Sequence, residues 1–200
     1  MPPSAAAVVV ALALFAHGPP LLAAAADGPD LDWVDRDALQ AREIQIRTGK
    51  DGPLVVTADA AVRIDAEPQA IWDVLTACSV APEYVPNVVS CRLIETADDG
   101  LSQLFVQTVK PAFFLPSFEH VFRLSYEPYT RIDVNRVSGP IEQMDATWWL
   151  LPQSGGWVLA VYSLKVNPGL PVPRFFVRAT LKRDLPKVLG AIRERAEAAR

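Results

Sequence analysis

Between Val88 and Val166 the chain carries six strand-like runs in succession: VVSCRLIE, LSQLFVQTV, FEHVFRLSY, RIDVNRVS, MDATWWLL and GWVLAVYSLKV. They are separated by DDG, KPAFFLPS, EPYT, GPIEQ and PQSG, each rich in turn-forming residues. A parallel neighbour would need a crossover of a dozen residues or more, and none of these connections is long enough. The runs therefore predict an antiparallel meander. Within them one face is consistently apolar: Met144, Ala146, Trp148 and Leu150 in one run, and Val158, Ala160, Tyr162, Leu164 and Val166 in the next. Such a face must be covered. The closing segment RFFVRATLKRDLPKVLGAIRERAEAAR supplies the cover, with Val177, Leu181, Leu185, Val188 and Ile192 at helical spacing. Pro186 lies inside that helix and predicts a kink near it.

Ahead of the meander, EIQIRTGKDGPLVVTADAAVRI has two alternating stretches around TGKDGP, a hairpin whose second arm, Leu54 to Ile64, is the first long strand. DAEPQAIWDVLTAC follows, with Ile71, Val74, Leu75 and Cys78 at helical spacing behind Pro68, which predicts one short amphipathic helix. Pro82 and Pro86 limit any helix beyond it to a turn or two. Residues 27–43 are acidic and weakly patterned, and read as a leader with at most one helical turn.

The first 26 residues are of another kind. An apolar run from Ala5 to Ala16 is followed by Gly18, Pro19 and Pro20 and then by Ala24, Ala25 and Ala26. The run is too short for a membrane span, which needs roughly 20 residues, and the layout predicts a secretory signal peptide with an A-x-A cleavage site. No Lys or Arg precedes the run, a departure from the usual pattern. The chain thus divides into a signal peptide (1–26), a leader with the first hairpin strand (27–53) and a single domain (54–200), destined for secretion and most simply for a periplasm.

Composition narrows the chemistry. There are 18 prolines but only two histidines and two cysteines, and His17 leaves with the signal peptide. With His120 alone remaining, a two-histidine metal site within one chain is excluded, and no metal or cofactor is expected. There is no P-loop, dinucleotide fingerprint, HExxH or CxxC. The net charge of −4 disfavours nucleic acid. Residues 174–200 nevertheless hold eight Lys or Arg against three Asp or Glu, which is either a solvated helix face or a stripe for anionic headgroups. Cys78 and Cys91 stand 13 positions apart, and both a disulfide and a pair of buried thiols remain open.

Four stretches, IDAEPQAIWDVLTACSVAPEYVPNVVSCRLIE, SFEHVFRLSYEP, SGPIEQMDATWWLLP and PVPRFFVRATLKRDLPKVLGAIRERAE, resemble the START-like, or SRPBCC, superfamily of polyketide cyclases, dehydrases and lipid-transport proteins, and in particular its coenzyme Q-binding branch. The resemblance covers residues 54–198. It implies an α+β helix-grip fold, a curved antiparallel sheet wrapped around a long C-terminal helix with an apolar cavity between them. It also implies a hydrophobic ligand, a lipid or polyprenyl quinone; the chain is expected to be a monomer. Fold alone does not choose among the family's carriers, cyclases and hormone binders.

The residues expected to line such a cavity are Phe105, Phe113, Phe114, Phe118, Phe122, Trp148, Tyr162, Phe175, Phe176 and Leu181. Phe113 and Phe114, between Pro111 and Pro116, and Phe175 and Phe176, after GLPVPR, make two proline-pinned loops that suit either a gate or contact with a membrane or partner. No catalytic residue is assigned. Strand alternation places His120 on the face of Phe118 and Phe122, where it is a weak candidate for the general base of a cyclase or aromatase, with Arg123, Tyr126 and Arg136 as polar neighbours along the strands. A binder that does not turn its ligand over is the leading expectation.

Overall fold

A computed structural model describes residues 28–111, 116–169 and 173–199. The signal segment and the Phe113–Phe114 pair lie outside the described residues. Eight strands follow in chain order: β1 (Gln45–Asp51), β2 (Val55–Ile64), β3 (Val88–Thr96), β4 (Ser102–Val109), β5 (Phe118–Glu127), β6 (Arg131–Ser138), β7 (Gln143–Gln153) and β8 (Trp157–Asn167). They form one antiparallel sheet in the order β1-β2-β8-β7-β6-β5-β4-β3, so the meander runs from one edge and closes on β2. The N-terminal hairpin is present, but TGKD belongs to strand β1 and the reversal falls at Gly52, Pro53 and Leu54.

Among the described residues three helices accompany the sheet, α1 (Arg36–Gln40), α2 (Pro68–Thr76) and α3 (Arg174–Ala198), with a 3₁₀ turn (Cys78–Glu83) after α2. Pro68 opens α2 at its first position, where a missing N–H costs nothing. α3 is continuous across Pro186.

α3 lies on β2, β7 and β8, where Ala58, Ala60, Ala146 and Ala160 are small enough to let it approach. Leu189, Ile192 and Ala196 are buried against Val62, Ile64, Leu150 and Val158. Complete burial of a side chain such as Leu189 or Ile192 contributes about 1.5–3 kcal/mol. The stripe expected from spacing is buried deepest at its C-terminal end, while Val177, Leu181, Leu185 and Val188 are half-buried. Over the other half of the sheet, Trp72, Leu75 and Cys78 pack on Phe105, Phe122, Leu124 and Ile132.

The opposite face of the sheet is covered over β2, β7 and β8. Trp33, Val34 and Leu39 from the leader pack on Trp149, Leu151, Trp157, Leu159 and Val161. Arg47, Arg63 and Arg131 lie over the rings of Trp33, Trp157 and Trp149, at 4.9, 4.9 and 5.9 Å from the ring centroids. Arg42, in the turn after α1, pairs with Asp65 and with both oxygens of Glu197 on α3, joining the leader to the C-terminal helix.

Candidate functional site

Because α3 covers β2, β7 and β8 while α2 and the 3₁₀ turn cover the half from β3 to β6, a gap is left between the two lids. It is a cavity of ≈ 250 Å³. The sheet contributes Gln107, Phe122, Leu124, Val134, Trp148 and Tyr162, the 3₁₀ turn side contributes Leu75, Cys78, Ala81, Tyr84 and Val85, and α3 closes it with Leu185, Val188 and Ile192. The wall is therefore mostly apolar, with polar groups from Gln107 and the tyrosines Tyr84 and Tyr162. Another hollow, of ≈ 260 Å³, lies on the far side of the sheet beneath the leader, but it is edged by Arg36, Gln40, Gln153 and Ser154 and lacks this lining.

Two tyrosines of the cavity wall, Tyr84 and Tyr162, and Tyr126 near it are neutral. Tyr126 donates to Gln103 Oε1 at 2.6 Å, and burial pushes its phenol up to about 12. Tyr84 donates to the Val74 carbonyl at 3.3 Å, and burial raises it despite the nearby Arg195 guanidinium. Tyr162 is likewise raised by burial, its ring 4.5 Å from that of Trp148. None can ionise near neutral pH.

Of the sequence-predicted residues, Phe122, Trp148 and Tyr162 line the cavity. Phe105 is buried just behind, stacked on Phe122 at 5.7 Å, and faces a neighbouring groove beside Cys78 and Cys91. Leu181 packs next to Leu185 over Ala58, Ala146 and Leu164. Phe118 shares the helix-side face beyond His120, with ring centroids 6.3 Å apart. Phe175 and Phe176 are a correction. They are 67% and 57% exposed, and Phe175 stands beside Gly49, Lys50 and Val56 at the β1–β2 hairpin instead of in the cavity. The anchor is Arg174, which donates to the Gly52 carbonyl at 3.3 Å and holds the helix start over that hairpin. Cys78 and Cys91 are joined in a disulfide, with Cα atoms 5.4 Å apart, tying the 3₁₀ turn to edge strand β3.

His120 is on the predicted face and is only 3% exposed. Its ring lies 5.4 Å from that of Phe122, and its Nε2 bonds Gln107 Oε1 at 2.9 Å. Desolvation first, and the Arg136 charge second, lower its pKa, so the ring is neutral. Arg123 is hydrogen-bonded to Ser102 at 3.1 Å and stands off this face by strand alternation. Gln107 and the apolar residues of the 3₁₀ turn were not anticipated. Gln107 sits in an ordinary alternating strand, and only its register opposite His120 marks it. Among the described residues there is no cluster of His, Cys, Asp or Glu able to hold a metal, and no helix long and apolar enough to cross a membrane.

Three solved structures share this arrangement. A STAR-related lipid transfer protein from Xanthomonas axonopodis aligns with TM-score 0.66 at 18% identity, covering 76% of this chain and 93% of that one. A START superfamily protein from Mycobacterium smegmatis gives 0.62 at 18%, over 72% and 99% of the two chains. The Zhui aromatase/cyclase from a Streptomyces species gives 0.59 at 16%, over 76% and 94%. At these identities they establish the START-like helix-grip fold and nothing finer. No curated protein matches the sequence significantly. The family described as polyketide cyclase / dehydrase and lipid transport matches residues 64–193, which takes in the cavity walls from Leu75 to Ile192, and the chain belongs to that family.

Proposed function

We propose that this protein is a secreted, periplasmic binding protein that holds a hydrophobic ligand, a lipid or polyprenyl quinone, between its sheet and α3 without turning it over. The observation that carries the reading is the cavity, walled mostly by apolar side chains from the sheet, from α2 with the 3₁₀ turn, and from α3. Its ≈ 250 Å³ is close to the ~300–1,000 Å³ usual for small-molecule sites. The quinone is supported by the resemblance of the four quoted stretches to the coenzyme Q-binding branch, and secretion by the signal layout of residues 1–26 together with the Cys78–Cys91 disulfide. A cyclase acting through His120 has less support, because Gln107 stands at the cavity wall and already occupies His120 Nε2. The test is native mass spectrometry and solvent extraction of the protein purified from its own host. An apolar molecule bound one to one is expected, and an empty protein that also fails to take up quinone or phospholipid overturns the reading.

A transient membrane contact is favoured by one further observation. The exposed Phe175 and Phe176 are ringed by exposed Arg174, Arg178, Lys182 and Arg183 at the start of α3, which suits insertion of rings between anionic headgroups. Binding to vesicles containing phosphatidylglycerol should fall at least fivefold in Phe175→Ser/Phe176→Ser. Unchanged binding removes this contact.

A further inference from the structure

Three cations from two distant parts of the chain meet where the start of α3 crosses the β1–β2 hairpin. Lys50, Arg174 and Arg178 line one open groove of ≈ 500 Å³, with Gly49, Val56 and Phe175 as the rest of its wall. Lys50 lies opposite Val56 in the β1–β2 ladder, and Val56 is two positions before Ala58, which packs under Leu181 and Leu185 of α3. Strand alternation therefore turns Lys50 to the helix side. Arg174 and Arg178 are four residues apart and share one face of α3. The Arg174 guanidinium reaches the carbonyl of Gly52, two residues along from Lys50, at 3.3 Å and holds that face against the hairpin.

No charge of opposite sign stands in the groove. None of its six wall residues is acidic, and among the described residues no carboxylate pairs with Lys50, Arg174 or Arg178. Asp51, the neighbour of Lys50, falls on the other face of the strand and is bonded to Lys165 at 2.8 Å. By contrast Arg47, Arg131 and Lys165 on the sheet each hold a carboxylate. Like charges four apart on a helix repel, and an anion in the groove would offset that repulsion. Two guanidinia offer paired N–H groups and the ammonium a point charge, a donor set that matches the several oxygens of a phosphate. Its source follows from the surroundings. Phe175 in the wall and Phe176 beside it are 67% and 57% exposed, and rings left in water next to a phosphate site suit the boundary between headgroups and acyl chains. Residues 174–200 hold eight Lys or Arg against three Asp or Glu in a chain of net charge −4, so an anionic surface draws the α3 side towards it and repels the body.

We propose that the groove between α3 and the β1–β2 hairpin is a phospholipid headgroup site, in which Lys50, Arg174 and Arg178 hold the phosphate of an anionic lipid while Phe175 and Phe176 enter beside it. The inference rests on the membrane contact proposed above and gives it a defined site that includes Lys50, a residue outside α3.

The test sediments the full chain with phosphatidylcholine vesicles containing about one third phosphatidylglycerol. Lys50→Gln and Arg178→Gln are compared with Lys182→Gln, which removes the same charge from an exposed position of α3 outside the groove. Arg174 is left in place because it also tethers the helix start. The two groove variants should each lose at least about tenfold in vesicle affinity, and Lys182→Gln less than about threefold, with melting temperatures unchanged. Equal losses in all three variants overturn the groove in favour of diffuse attraction and leave the contact through the phenylalanines standing. Release of the protein by inorganic phosphate, but not by chloride at the same ionic strength, assigns the groove to a soluble anion and overturns the lipid. Failure of the unmodified protein to bind these vesicles overturns the groove and the membrane contact together.

Discussion

Removing the Cys78–Cys91 bridge should destabilise the protein through the unfolded chain and loosen one wall of the cavity. The two cysteines are 13 positions apart, and in the chain-entropy description a loop of that size removes about 3 kcal/mol of freedom from the unfolded state. For a domain of this length that corresponds to roughly 6–12 °C in Tm, at 2–4 °C per kcal/mol. The native state has a stake as well. β3 is an edge strand held by β4 alone, with irregular register at Val88/Ser90 and Leu93/Glu95 and with Val89, Leu93 and Ile94 exposed. Its remaining tie is to the 3₁₀ turn, and both cysteines line the cavity. Thermal melts with and without dithiothreitol should therefore separate by that amount in the natural chain and coincide in Cys78→Ala/Cys91→Ala, whose affinity for an apolar dye should also fall severalfold. Coincident melts for the natural chain, or two thiols reacting with iodoacetamide without reductant, would refute the reasoning.

Three other substitutions probe the frame around the site. Gly139 has φ +117°, and an added Cβ would stand 2.7 Å from His120 Cβ and 2.9 Å from the Glu119 carbonyl. Gly139→Ala should cost more than about 2 kcal/mol in urea unfolding, and a variant as stable as its parent contradicts the close packing. Arg42→Ala removes the pairing to Asp65 and Glu197 between leader and α3, whose partly exposed groups put the cost at about 1–2 kcal/mol. A double-mutant cycle with Glu197→Gln should show coupling of at least ~0.5 kcal/mol, and strict additivity would deny the link. Burial and Arg136 hold His120 below its usual 6.5, so the unfolded chain takes up this proton first on acidification. Stability from this group is complete above pH ~6.5 and is lost as pH falls towards the lower folded value. His120→Phe should flatten that part of the curve, and parallel curves for the two proteins would show that His120 contributes no such term.

Much of the fold was legible because antiparallel strands and amphipathic helices write their periods directly into the chain. Ala146, Trp148 and Leu150 share a face with Ala160 and Tyr162 simply because strand side chains alternate, and the turn residues between runs forced the meander. Burial on both faces was harder to read. Trp157, Leu159 and Val161 occupy the opposite positions of β8 and are as apolar as their neighbours, a pattern that calls for a second cover. Nothing in the weakly patterned leader shows that Trp33, Val34 and Leu39 provide it. The Phe175–Phe176 pair misled for a related reason, since hydrophobicity says that a ring seeks cover without saying which way the helix start is tethered. That tether, Arg174 to Gly52, joins residues 122 positions apart. The polar cluster around His120 is less legible still. Alternation assigns Gln107, His120 and Arg136 to one face, but their chemistry depends on which atoms find partners. That depends in turn on a one-residue bulge at Val137 and on the close approach of Gly139. A sequence can place three polar side chains on a face, whereas only the assembled sheet shows that Gln107 bonds His120 Nε2 and that Arg136 turns back to the Gly139 carbonyl.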